Sequence, residues 1–166
     1  MLIQVRDAKR IIASLRIISS IADGEIFPPK YKIFRREQKS RGSFGGGVLI
    51  AVRDSIKASP KEDVLCDSEL IFIDLLFANN RKITLGTFYR PHNNESKPLE
   101  ELQQALDDLS TSELILIGDF NLPDVDWLNI RATNNSTNYE LLFDVIQDNF
   151  VSQLVVDPNQ LEIRIS

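Results

Sequence analysis

An α/β domain built mostly from antiparallel strands is what this 166-residue sequence predicts. Three observations carry that reading. GGGVLIAVRD, ELIFIDLLFA, RKITLGTFY and ELILIG are apolar runs rich in β-branched residues, bounded by polar or glycine-containing turns. Two other segments repeat apolar residues at helical spacing. Asn79-Asn80 separates two of the apolar runs, and asparagine tolerates the positive φ that a tight hairpin needs.

Taken in order, residues 1–21 place Ile11, Ile12, Leu15 and Ile18 at helical spacing with Arg and Lys between them. The spacing predicts a helical leader, divergent from the rest of the chain. The segment is acid-poor, and a mitochondrial presequence is the less favoured reading of it. The second unit spans 22–166. Pro28-Pro29 forbids helix, and YKIF after it reads as a short strand. The glycine run 45–47 leads into the next strand, and two more lie on either side of Asn79-Asn80. Leu99, Leu102, Leu106 and Leu109 form a helical stripe behind Pro98 in the first turn. ELILIG is the next strand. Thr137 and Glu140 have capping-box spacing ahead of Leu141, Leu142, Val145 and Ile146, and FVSQLVV reads as extended.

Composition narrows the function. Apolar residues at 43% and charged residues at 26% describe a globular chain with a core rather than a disordered one. No apolar run approaches the roughly 20 residues of a membrane span, since Asp74 breaks the longest, LIFIDLLF. Arg6, Asp7, Lys9 and Arg10 interrupt any secretory signal, so the expected location is nuclear or cytoplasmic, not secreted. The single cysteine, Cys66, allows no internal disulfide and reads as an inert thiol. Residues 1–60 carry 12 Lys+Arg against 5 Asp+Glu, and residues 61–166 carry 7 against 19. One half can attract phosphates and the other can hold cations, or both imbalances are solvated faces.

LILIGDFNLPDVDW, residues 114–127, brings a buried strand out at Asp119 and Asn121. A strand-end Asp suits a P-loop nucleotidase, but the only glycine-rich loop, SFGGGV, lacks the subsequent Lys-Ser/Thr. Phosphodiester hydrolysis remains. It needs a carboxylate to orient or deprotonate water, and donors for charge developing on phosphoryl oxygens. Alternation on a strand-end pleat would turn Asp119 and Asn121 into one cleft. The competing reading is a turn in which both side chains only bind backbone. TFYRPHNN, residues 87–94, also leaves a strand at a proline, and its Tyr89 and Arg90 are both suited to phosphate.

In this order, EIFPPKYKIFRRE, GGGVLIAVRD, LGTFYRPHNN and LILIGDFNLPDVDW resemble the endonuclease/exonuclease/phosphatase superfamily. The narrower resemblance, over about residues 22–158, is to the apurinic-type endonuclease domain of non-LTR (LINE-like) retrotransposons. It implies a DNase-I-like β-sandwich flanked by helices, and DNA cleavage with Mg²⁺ or Mn²⁺ beside a reverse transcriptase domain. It also implies catalytic roles for Tyr89 at the scissile phosphate, Asp119 on the attacking water and Asn121 on the phosphoryl oxygens. Arg90 would be an accessory phosphate-binding residue.

The departures from the family shape the remaining expectations. The family's first-strand Asn and metal-binding Glu have no counterpart in residues 1–21, whose only acid is Asp7. No Ser-Asp-His stands near Ser166, and the only histidine is His92, read as an exposed loop residue. The expectation is an incomplete sandwich lacking its first and last strands, with unpaired sheet edges, doubtful metal binding and no nuclease activity of its own. No metal ligand is assigned. The alternatives are a non-enzymatic remnant or DNA-binding module, and an active enzyme in which Asp7, Asp124 or His92 substitutes. Asp124 and Asp126 otherwise read as solvated loop acids, and Trp127 as a residue packing its loop. The basic stretch from Lys30 to Arg41 could contact DNA, serve nuclear import or edge a sheet. Sequons at Asn94, Asn134 and Asn135 read as chance matches in a chain without a signal peptide.

Overall fold

The computed structural model describes residues 2–4, 11–15, 22–37, 46–62, 64, 66–78, 80–109, 113–126, 129, 131–133, 136–149, 151–153 and 162–165. Asp7, Lys39, Arg41, Trp127, Asn134 and Asn135 lie outside them. Two sheets stack as a sandwich. The first contains β1 (Leu2–Gln4), β2 (Ile11–Leu15), β4 (Gly47–Arg53) and β3 (Tyr31–Glu37), in that spatial order. The second runs β11 (Val151–Gln153), β12 (Glu162–Ile165), β8 (Leu114–Asp119), β7 (Lys82–Tyr89), β6 (Glu69–Leu76), β5 (Lys57–Pro60). Among the described residues, every pairing is antiparallel except β7 with β8. The sheet is mostly antiparallel, as the short turns between apolar runs require; the one parallel pair needs a crossover. Helix α2 (Lys97–Asp108) supplies it.

Three packed clusters result from strand alternation. Val48, Ile50, Val52, Ile73, Leu75, Leu85 and Ile117 meet between the sheets. Phe72, Phe88, Leu114 and Leu116 point the other way, against Leu99, Leu102 and Leu106 of α2 and Leu142 and Val145 of α3 (Thr137–Asp148). Phe27, after the short α1 (Asp23–Ile26), covers Leu49 and Ala51 on the outside of the first sheet. Strand β4 is therefore buried on both faces, which is why its sequence is apolar without alternation. The expected leucine stripe of α2 is completely inside, with Pro98 in the first turn. Asn80 turns the β6–β7 hairpin at φ 60°.

The leader corrects two expectations. Its described residues are strands, not helix: β1 pairs with β2, and β2 pairs with β4 from Ile11–Val52 to Leu15–Val48. Helical spacing over so short a segment does not exclude strand. The open edge of β4 offers backbone partners that an isolated helix lacks, and β-branched isoleucines suit that edge. The edges expected to be unpaired are also covered. Strand β2 flanks β4, and β12 flanks β8 from Glu162–Ile117 to Ile165–Leu114. The third correction concerns α3. Its N-cap is Ser136, one residue before the capping-box position, and no side chain caps it. Strand β5, α1 and the small hairpin of β9 (Val125–Asp126) and β10 (Arg131–Ala132) carry no clear sequence signal.

Gly86 sets how closely β6 and β7 pack beneath α2. It pairs with Phe72, whose ring lies where a Cβ would stand, and Leu116 Cδ1 would be 3.0 Å from that atom. Gly86→Ala is expected to lose about 1–3 kcal/mol through this overpacking. Urea unfolding measures it; a midpoint equal to wild type would contradict the close approach.

Candidate active site

The parallel pairing of β7 with β8 aligns the two strands that the sequence singles out. Tyr89 and Asp119 are register partners, and Tyr89 is the register partner of Glu69 on its other side. Side chains two apart share a face. Leu85 and Ile117 face the first sheet, so Tyr89 and Asp119 do as well, at the carboxyl ends of their strands. Glu69, four residues before Ile73, falls on that same face. A carboxylate, a phenol and a carboxylate therefore stand in a row across three strands, with neighbouring strands about 4.8 Å apart. Tyr89 is 5% exposed and Glu69 is 2% exposed, while Asp119 is half-buried.

Asn121 joins them by a turn rather than by pleat alternation. Strand β8 ends at Asp119, and Asn121 is left-handed at φ 49°. Its backbone N–H donates to Asp119 Oδ1 at 3.2 Å, an Asx-type turn, and its side-chain Nδ2 donates to the Arg90 carbonyl. Asparagine is among the few residues that enter this region at small cost, because its short polar side chain can bind locally. The backbone-binding turn foreseen as the competing reading is thus formed, and it brings Asn121 beside the Tyr89–Asp119 row at the same time.

Arg90 holds the two strand-end loops together. It is 2% exposed. Its Nη2 donates to the carbonyls of Asn93 at 2.7 Å and Glu95 at 3.3 Å, and its Nη1 to that of Asn121 at 3.4 Å. Its backbone N–H donates to the Asp119 carbonyl at 2.9 Å. Burial pulls the guanidinium pKa below its ordinary value, which is so high that the group stays charged. The side chain expected to touch phosphate is mainly committed to loop carbonyls, and only Nε has no partner among the described residues. Beneath this clamp, the rings of Phe88 and Phe120 meet at 5.3 Å with a 52° tilt.

The other candidates lie apart from the row. His92 is exposed on the loop after β7. Asp124 accepts from the Tyr139 hydroxyl at 3.1 Å. Asp126 accepts from Asn129 Nδ2 at 2.8 Å and Arg131 Nε at 3.1 Å, and these contacts hold its carboxyl below the usual range. Asp124 thus ties its loop to α3, and Asp126 fastens the turn between β9 and β10. In the basic stretch, Arg35 pairs with Asp23 and Glu37, each at 2.7 Å, while Lys30 and Lys32 are exposed. Burial pushes the Cys66 thiol pKa up, as expected of an unreactive cysteine. Sequence reasoning misses Glu69. Its signal is a carboxylate opening a mainly apolar strand, on the face of Ile71 and Ile73 and opposite in parity to the strand's other acid, Asp74.

Residues 83–163 match a family described as endonuclease-reverse transcriptase. No curated protein matches the sequence. Among solved structures, the chain is similar to the endonuclease domain of TRAS1, a telomere-specific non-LTR retrotransposon. That likeness has 12% identity and a TM-score of 0.59, and it covers 81% of this chain and 67% of that one. At such identity it speaks for the fold alone, and it supports the DNase-I-like sandwich flanked by helices that the family resemblance implies. A weaker likeness is to ANGEL2, a 2′,3′-cyclic phosphatase, with 17% identity and a TM-score of 0.40 over 58% of this chain and 33% of that one.

Proposed function

We propose that the Tyr89–Asp119–Asn121 group receives a DNA phosphodiester; the match of residues 83–163 to the family described as endonuclease-reverse transcriptase, in a chain whose fold is similar to a retrotransposon endonuclease domain, supports this reading. The observation that carries this reading is the direct register of Tyr89 with Asp119, with Asn121 folded back beside them. The Asp119 carboxylate orients a water and accepts its proton. The Tyr89 phenol donates to a phosphoryl oxygen. The Asn121 amide, now donating to the Arg90 carbonyl, supplies a second donor when it turns toward substrate. Arg90 positions both loops. DNA is the partner, and a reverse transcriptase domain acts beside this one in a longer protein.

Mg²⁺ or Mn²⁺ would add charge stabilisation in such a site. The residues present do not make a fitting cage: among the described residues no group of three His, Cys, Asp or Glu could hold a metal ion. Asp119 and Glu69 are separated by the Tyr89 strand. We infer further that this 166-residue chain does not cut DNA by itself. Loss of a single oxyanion donor typically costs about 10²–10³ in rate, and this chain has only His92 to serve as a histidine acid or base.

A plasmid-nicking assay with Mg²⁺ or Mn²⁺, comparing wild type with Asp119→Ala, tests both parts. The expected result is no nicking by either protein, with binding to duplex DNA that weakens as salt rises. Nicking by wild type that Asp119→Ala abolishes would overturn the inactivity and uphold the site. Absence of any DNA binding at low salt would overturn the DNA reading.

A further inference from the structure

A pocket opens beyond the end of the catalytic row. The row crosses β8, β7 and β6 and ends at Glu69. On the far side of β6, strand β5 stops pairing at Pro60–Ile73, so the β6 edge from Phe72 back to Glu69 has no strand partner there among the described residues. The pocket, about 350 Å³, lies between that edge and the Phe34–Arg36 part of β3. Its lining holds three cations, Arg35, Arg36 and Lys61, and no acid; the other lining residues are apolar. Strand parity aims Arg36. Phe34 packs between the sheets, so Arg36, two residues on, faces the second sheet. It also stands at the same end of the sandwich as the row. Asp67, just before β6, is held below the usual carboxylate range first by Lys97 and in part by the Arg36 charge.

The charges around the pocket do not cancel. Arg35 is held by Asp23 and Glu37. The nearby acids Asp67 and Asp74 are engaged by Lys97 and Lys82, each at 2.8 Å. Glu69 is 2% exposed and outside the lining, and Glu62 is exposed. The side chains of Arg36 and Lys61 have no hydrogen bond or ion pair among the described residues. Both are half-buried, as are Phe34 and Ile71 beside them, so solvent reaches all four. Two unpaired cations over an apolar wall suit an anion that carries an apolar body. A phosphodiester between two deoxyriboses is such a group; a bare inorganic anion leaves the wall unused. We propose that this pocket receives a backbone phosphate of bound DNA that flanks the one at Tyr89 and Asp119, with Arg36 and Lys61 donating to its oxygens. A deoxyribose then rests on Phe34 and Ile71. The proposal rests on the DNA reading of the catalytic row, and gives the direction in which the DNA leaves it, across β6 toward β3.

Binding of a fluorescent DNA duplex to the whole chain, followed by anisotropy between about 50 and 200 mM salt, tests it. Each neutralised phosphate adds about 0.9 to the slope of log affinity against log salt. Arg36→Gln should lower that slope by about 1, so its deficit against wild type is about 3–4-fold larger at the low-salt end than at the high-salt end. Lys61→Gln should act in the same direction, and it serves if the Arg36 variant fails to fold. Lys30→Gln removes one charge just before β3, at the end away from the pocket, and should leave the slope unchanged. Slopes equal to wild type in Arg36→Gln and Lys61→Gln would overturn the pocket and leave the DNA reading standing. A slope lowered as much by Lys30→Gln would also overturn it, because net charge alone then accounts for the effect. A wild-type chain that binds no duplex at the lowest salt would overturn the DNA reading, and this proposal with it.

Discussion

Phe88→Ala will destabilise the fold by about 3–5 kcal/mol, the typical cost of emptying a buried aromatic site. Phe88 is fully buried and lies between the second sheet and the two long helices. Its ring meets Phe120 at 5.3 Å and a 52° tilt, so truncation removes packing on both strand ends at once. Because a domain of this kind is stable by only about 5–15 kcal/mol, this one change consumes much of that margin. Phe88→Leu, which fills more of the cavity, should cost markedly less. Urea unfolding monitored by circular dichroism reads the difference. An alanine variant within about 1 kcal/mol of wild type would show that the helices close over the gap, contrary to close packing.

Arg90→Leu is the second large effect, and it separates two roles for one residue. As an accessory phosphate contact on the surface, Arg90 could be removed with little change in stability. As a buried clamp, its loss leaves the carbonyls of Asn93, Glu95 and Asn121 without their charged donor. The expected cost is about 3 kcal/mol, since hydrogen bonds to charged groups contribute about 1.5–3 kcal/mol each and the shortest of the three is 2.7 Å. Arg90→Lys should not restore the loss, because an ammonium cannot reach three carbonyls with the geometry of a guanidinium fork. Hydrogen exchange at Asn93 and Asn121 should accelerate in both variants. Unchanged stability in Arg90→Leu would reassign the side chain to the surface role.

The local patterns were readable because each rests on near neighbours. Apolar runs bounded by turns placed β4, β6, β7 and β8. Leucine spacing placed α2, and Asn79-Asn80 placed a hairpin. That Tyr89 and Asp119 close two strands was also legible, because each strand-end motif follows an apolar run; that the two strands are neighbours came from the fold. Three features were settled by tertiary structure alone. Residues in the leader became strands because β4 had an edge to fill. Arg90 turned inward because the loops after β7 and β8 present carbonyls that only a buried guanidinium can join. Glu69 entered the row through its pairing opposite Tyr89, a contact twenty residues distant in the chain. Periodicity reports which face of an element is apolar. Which elements lie side by side, and which polar groups then share a hollow, depends on long-range pairing energies that no short window of sequence contains.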